Sequence, residues 1–282
     1  MSILTQFDAF LAADTAASRA FRAVTANFTK MIPDATGTLL PVITPHALFG
    51  GAVRDIDNNG ASANPRDFDI VVKTQLKDLR DTLQEFGENR KTNAFNGFNF
   101  MYEGIRFDVW ALRETLAIRK SGNNNPTFAD LMPTTFFNLE AVALEVFGNP
   151  VPLPTPPAPP EPGQPIGTPT LNYPGPLPNP PRTTHDGGYN QAKTSGVLEL
   201  NNPNTPFAVL QMVRAAGFVK RLTMTLGPNL EDWILANKII ALSDEGLTVT
   251  QTRYYGEGNE PCTLGEMRTT LDAAIAAAEA RL

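Results

Sequence analysis

Cysteine and histidine are almost missing from this chain. Cys262 is the only cysteine in 282 residues, so it has no partner for an internal disulfide and no companions for a thiolate zinc cluster. His46 and His185 are the only histidines, too few for a histidine-rich metal site, and no Ser-His-Asp or Cys-His arrangement emerges around them. No apolar run approaches the ~20 residues that a membrane-spanning helix needs. The first residues show neither a charged n-region nor an apolar h-region, so no secretory signal is expected and the expected address is cytoplasmic. The net charge is −6 and there is no basic run, which argues against a long positive stripe wrapped around nucleic acid. Two small clusters, Arg113, Arg119 and Lys120, then Arg214, Lys220 and Arg221, remain candidate RNA contacts, although surface cations on helices are usually just solvated.

Against this background one short stretch stands out. His46-Ala-Leu-Phe-Gly50-Gly51-Ala-Val-Arg54-Asp55 brings a strand-like run to a glycine pair, and Asn64-Pro-Arg66-Asp67-Phe-Asp69-Ile-Val-Val72 follows with two carboxylates two residues apart. Side chains at i and i+2 of a strand share a face, so Asp67 and Asp69 point together while Phe68, Ile70 and Val72 point into a core. Two like charges held about 4 Å apart repel by roughly 4 kcal/mol at an effective dielectric of 20. A divalent cation is the usual compensation. An isolated Asp-x-Asp is more often a solvated strand face, but a third acidic strand changes the balance. Gly97-Phe-Asn-Phe-Met-Tyr-Glu-Gly104 and Ile105-Arg-Phe-Asp108-Val-Trp-Ala-Leu-Arg113 read as a hairpin turning at Glu103-Gly104, with Phe107, Val109 and Ala111 on one face and Asp108 on the other. If that strand lies beside the first, three carboxylates meet on an open sheet face. The glycine pair, at a strand-to-helix turn, presents bare N–H groups to an anion. Arg54 either adds a charge-assisted bond to phosphate or pairs with Asp55.

Gly50-Gly51-x-x-Arg54-Asp55 followed by Asp67-Phe-Asp69 resembles the head of the polymerase-beta-like nucleotidyltransferases, in particular the branch of tRNA nucleotidyltransferases (CCA-adding enzymes) and bacterial poly(A) polymerases. The resemblance implies an α/β (α+β) head, a mixed sheet flanked by helices, that transfers a nucleoside monophosphate from an NTP to an acceptor hydroxyl and releases pyrophosphate. It implies that Asp67, Asp69 and Asp108 are catalytic and bind Mg2+, two ions being expected, and that Gly50, Gly51 and Arg54 hold the triphosphate. Arg66, Arg113, Asn138 and Arg214 are further candidate nucleotide-binding residues. The acceptor is left open between an RNA 3′ end and another hydroxyl. The resemblance covers residues 44–148 well and 185–226 weakly. In the next helical motif Asn138 is kept, but Met132, Pro133 and Thr134 stand where the family has Arg-Arg-Asp. Asn204-Thr-Pro206-Phe-Ala208 stands where the CCA-adding branch has Glu-Asp-Pro-x-Arg, so the base-reading acid and arginine are absent. These departures keep a second reading open, a catalytically inactive nucleotide-binding regulatory or assembly protein.

Three regions are expected: a head with its N-terminal helix over 1–148, an insert over 149–182, and a mostly helical region over 183–282. Ile3, Phe7, Phe10, Leu11, Ala17, Phe21, Val24, Phe28 and Met31 recur at helical steps, predicting one helix or two over 2–32, with Asp14 as the interruption. Helices are also expected near 75–87, 135–147, 204–224, 228–242 and 263–282, and a strand or irregular connection over 247–255. Fifteen of the 25 prolines fall in 149–182, a composition that favours extended polyproline II. That insert is read as a semi-rigid spacer or, in the sharper version, as a docking strip for a protein partner.

Overall fold

The computed structural model describes residues 1–33, 39–84, 86, 91–92, 96–146, 182–241 and 243–282. The expected insert lies, apart from Arg182, outside the described residues. The chain forms two compact units: Met1–Glu114 with Leu144–Thr184, and Thr115–Ala143 with His185–Leu282.

The first unit opens with helices α1 (Ile3–Ala12) and α2 (Ala16–Ala26). The chain leaves helical geometry at Ala13 and restarts at Thr15, whose hydroxyl accepts from the Ser18 N–H while the Ser18 hydroxyl accepts from the Thr15 N–H. A reciprocal cap of this kind satisfies two otherwise orphaned donors and fixes the start of the second helix. Helix ends earlier than the apolar spacing predicts. Residues Thr29–Pro33 form strand β1, paired antiparallel with β2 (Leu39–Ile43). A run holding Thr29, Ile32 and Pro33 is poor helix and good strand-edge material, so periodicity alone misassigned Phe28 and Met31 to a helix.

Strand β3 (His46–Phe49) runs straight into α3 (Gly51–Asn59), and β4 (Asp67–Val72) returns antiparallel to β3. After α4 (Leu76–Thr82) come β5 (Lys91–Thr92), β6 (Phe98–Tyr102) and β7 (Ile105–Ala111). With β8 (Val142–Val146) and β9 (Thr184–Asp186) they make a seven-stranded mixed sheet of order β5-β6-β7-β4-β3-β8-β9, in which β4 and β7 are parallel. The expected α/β architecture is therefore present. One sheet face carries Phe68, Phe100 and Phe107, fully buried and packed ring on ring, with Phe21 of α2 5.1 Å from Phe68 and Phe10 of α1 6.1 Å from it. Each such ring contributes up to about 3 kcal/mol by leaving water. The helical aromatic stripe is thus a core face, and it leaves the opposite face of the sheet for chemistry.

His46, at the start of β3, is buried with its ring 4.9 Å from that of Phe28, and its Nδ1 lies 2.9 Å from the Thr44 carbonyl. Burial outweighs that hydrogen bond and lowers its pKa from 6.5 to about 4. Because the folded value lies below the unfolded one, the neutral ring stabilises the fold fully above pH 6.5. That contribution is lost as pH falls toward 4, by an amount on the order of 3 kcal/mol. Denaturant titrations of wild type and His46→Gln at pH 7 and pH 4 should show the variant losing clearly less stability on acidification. Equal losses would remove His46 as the cause.

The second unit holds α5 (Leu116–Ser121), 3-10 turns over Phe128–Thr134 and Asn138–Glu140, and α6 (Tyr189–Ser195). Then come β10 (Val197–Leu198), α7 (Ala208–Leu222), β11 (Thr225–Leu226), α8 (Pro228–Ala236), α9 (Lys238–Ala241), α10 (Asp244–Tyr255) and α11 (Leu264–Glu279). Two expectations fail here. Residues 135–146 are not a helix but include a 3-10 turn followed by β8, because the apolar run Val142–Val146 is taken up as a strand of the sheet. Residues 247–255 belong to α10, capped by the Ser243 hydroxyl accepting from the Gly246 N–H. Its Gln251 donates to the Cys262 carbonyl, so tertiary packing overrides the β-branched composition. Residues 115–143 group with the C-terminal unit, where Phe136 packs 4.7 Å from Trp233 and Phe137 lies 5.5 Å from Phe218.

Candidate active site

Strand register sets the site. In the parallel pair, Asp67 lies opposite Arg106 and Asp69 opposite Asp108; Phe49 lies opposite Asp69 on the other side, and Asn99 opposite Asp108. Register partners share a sheet face, as do residues two apart on a strand. Reading across the sheet, one row is therefore Phe49, Asp69, Asp108, Asn99, and the next holds Asp67 and Arg106. All three predicted carboxylates are on one face of two adjacent strands. Trp110 is on this face too, its ring 6.3 Å from that of Phe49.

The glycine pair adjoins the same row, because Gly50 follows Phe49. Gly50 has φ +64° and ψ −121°, a combination reserved for glycine, and it turns the chain from β3 into α3. No side chain caps that nine-residue helix, so its first N–H groups remain available to an anion. Gly51 has ordinary backbone geometry. A Cβ added there would meet Arg54 Nη2 at 3.5 Å, which shows the guanidinium folded back over the turn. Arg54 Nε also lies 3.8 Å from Asp55 Oδ1, so its two sequence readings, phosphate ligand and structural pair, are geometrically compatible. The two glycines separate cleanly by mutation. Gly50→Ala is expected to lose about 1–3 kcal/mol of stability through backbone strain, while Gly51→Ala is expected to hold or gain slightly, as alanine favours helix. Chemical denaturation of the two variants checks this, and equal behaviour would contradict the turn geometry.

The carboxylates are not left bare. Asp67 Oδ2 accepts from Arg66 Nη2 at 3.1 Å. Asp108 is held on both oxygens, Oδ1 by Asn99 Nδ2 at 2.8 Å and Oδ2 by Arg106 Nη2 at 2.9 Å. Among the described residues, no three acidic, histidine or cysteine side chains converge closely enough to enclose a metal ion. The donor chemistry nevertheless suits one. Carboxylate oxygens are what hard cations such as Mg2+ take, and Arg66 and Arg106, with side chains 63 % and 53 % exposed, have room to move away. Sequence reading missed Asn99 and Arg106. The signal was there, since Asn99 and Asp108 are equally distant from a two-residue turn at Glu103-Gly104.

The remaining candidates divide between the units. Arg113 closes β7 in the first unit, exposed in a 3-10 turn with Leu112 and Glu114. Asn138 and Arg214 belong to the second. The Asn138 side chain bonds the backbone there: Oδ1 accepts from the N–H groups of Leu139 and Glu199, and Nδ2 donates to the Val197 carbonyl. Arg214 is paired with Glu140, and its Nη1 donates to Gln211 at 3.0 Å. Burial acts to lower the Arg214 pKa, but Glu140, Tyr254 and Tyr255 outweigh it and raise it. No helix among the described residues is long and apolar enough to cross a membrane.

No protein-family model and no curated protein matches the chain. Solved structures do. The Thermotoga maritima CCA-adding enzyme complexed with tRNA aligns over 98 % of this chain and 54 % of its own, with 14 % identity and a TM-score of 0.56. A CCA-adding enzyme complexed with CTP aligns over 98 % and 55 %, with 16 % identity and a TM-score of 0.55. A tRNA nucleotidyltransferase complexed with a primer tRNA and an incoming ATP analog aligns over 82 % and 58 %, with 16 % identity and a TM-score of 0.52. This chain spans about half the length of the structures it matches. At these identities the likeness is one of fold: the chain is folded like part of these tRNA nucleotidyltransferase structures.

Proposed function

We propose that this protein is a metal-dependent nucleotidyltransferase that moves a nucleoside monophosphate from an NTP to a hydroxyl acceptor. One observation carries the reading: Asp69 and Asp108 are register partners on adjacent parallel strands, with Asp67 on the same face and the Gly50 turn at the end of the same row. In this reading Asp67, Asp69 and Asp108 hold Mg2+, which supplies charge neutralisation at the phosphates and activation of the acceptor hydroxyl. The open N–H groups of α3 and the Arg54 guanidinium receive the triphosphate, with Arg66 as a further cation beside Asp67; Arg113, beyond the far end of β7, would have to reach back to it. The acceptor oxygen attacks the α-phosphorus in line as the bond to pyrophosphate breaks, and Asp108 polarises the acceptor hydroxyl. Most of the acceleration then comes from positioning and preorganised charge.

The acceptor we favour is an RNA 3′ end, a choice supported by the fold likeness to enzymes solved with tRNA. The proline-rich insert, as a docking strip, would serve a protein partner.

The test uses the full chain, Mg2+, each α-labelled NTP in turn and a short RNA with a free 3′ hydroxyl. Labelled RNA and pyrophosphate are expected, and both should vanish in Asp67→Asn with Asp69→Asn. Magnesium-dependent NTP binding without pyrophosphate release from any NTP would overturn turnover and favour the regulatory reading.

A further inference from the structure

The two oxygens of Asp108 face different kinds of partner. Asn99 Nδ2 reaches Oδ1 at 2.8 Å from a neighbouring strand whose register is fixed by pairing. It is a neutral donor in a part-buried setting, and nothing about a cation at Oδ2 requires it to leave. Arg106 Nη2 reaches Oδ2 at 2.9 Å from the same strand as Asp108, with its side chain 53 % exposed against 17 % for Asp108. Ion pairs with so exposed a member are weak. They yield easily to a chelating divalent ion. Arg106 is also the register partner of Asp67, so its backbone lies beside one of the three carboxylates while its guanidinium bonds another.

We infer that Asn99 is a positioning residue that holds Asp108 permanently, and that Arg106 is an exchangeable counter-cation that occupies Oδ2 until a divalent ion takes its place. The inference rests on the proposed metal site and deepens it. Physically, Arg106 offsets the charge of Asp108, on the face it shares with Asp69 and Asp67, when no metal is bound, and so weakens metal binding by competition. Asn99 does the opposite: by fixing one oxygen it preorganises the other and lowers the ordering entropy of chelation.

The readout is Mn2+ affinity of the full chain, by calorimetry and by electron paramagnetic resonance of free Mn2+, without nucleotide. Arg106→Gln is expected to bind Mn2+ about tenfold more tightly than wild type. Asn99→Ala is expected to bind about tenfold or more weakly, in the range usual for outer-shell partners of a metal ligand. Arg19→Gln, on α2 and paired with Asp14, controls for the general effect of removing a positive charge and should leave the affinity near that of wild type. A second readout follows the guanidinium itself: on Mn2+-free titration with Mg2+, the Arg106 side-chain nitrogen resonances should shift and their proton exchange accelerate in wild type but not in Asp108→Asn.

The outcomes separate. If Mn2+ binds and Asp69→Asn abolishes it, but Arg106→Gln binds no more tightly than Arg19→Gln, the exchange idea is overturned and the metal site stands. Normal affinity in Asn99→Ala likewise overturns its positioning role alone. Absence of Mn2+ binding in both wild type and Arg106→Gln overturns the metal site and this inference with it.

Discussion

Asp69→Asn is expected to reduce nucleotidyl transfer about a thousandfold or more while leaving the fold intact. Asp69 sits in the middle of the row, with Asp108 on one side and Phe49 at the glycine turn on the other. It is therefore the carboxylate best placed to serve both the acceptor side and the phosphate side. Removing one preorganised group that stabilises developing charge typically lowers the rate by about 10²–10³-fold, and in the proposed site loss of a metal ligand would act on top of that. Asparagine keeps the shape and removes one of three like charges, so stability should change by no more than about 0.5 kcal/mol or rise slightly. The measurement is pyrophosphate release at saturating NTP, paired with a denaturation midpoint. The effects of Asp67→Asn and Asp108→Asn should not add to it, because residues acting as a unit fail together. A folded Asp69→Asn protein with near wild-type turnover would remove the basis of the proposed site.

Arg214→Ala is expected to lower stability on the order of 3–5 kcal/mol. Arg214 and Glu140 form an ion pair with both side chains mostly buried, and the guanidinium carbon lies 5.6, 5.9 and 5.7 Å from the ring centroids of Phe137, Phe218 and Tyr254. Removing one member strands the other charge in a poorly solvated place, which is more destabilising than the pair was stabilising. Two variants make that argument testable by urea denaturation. Glu140→Ala should be about as harmful as Arg214→Ala. The double variant Arg214→Met with Glu140→Leu should recover most of the loss, since packed apolar groups replace a buried pair well. A single-variant effect below about 1 kcal/mol would show the pair to be effectively solvated.

The parts of the molecule that the sequence revealed share a short period and a nearby marker. Alternation placed Phe68, Ile70 and Val72 opposite Asp67 and Asp69, and the burial of those apolar residues follows it. The glycine pair marked the strand-to-helix bend at Gly50, and Glu103-Gly104 marked a hairpin whose two turn residues both have positive φ, 49° and 78°. Where packing decides against local preference, the sequence was mute. Val142–Val146 reads as well for a buried helix as for a strand until its place in the sheet is known. Asp244–Tyr255 looks extended by composition, yet Ser243 caps it and Gln251 anchors it. The side-chain partners of the carboxylates were hidden for a different reason. Arg66 and Arg106 look like ordinary exposed cations in one dimension, and only the folded strands show their guanidinium groups turned onto Asp67 and Asp108.

Because Tyr102 pairs with Ile105 across Glu103-Gly104, every rung of β6 and β7 is counted outward from that loop, up to Asn99 beside Asp108. One extra residue in the loop would slide the ladder by a step and set a phenylalanine where the amide now lies. Loop length is accordingly a chemical parameter of this protein: the reach of the Asn99 amide to the Asp108 carboxylate is measured out by a bend several residues away.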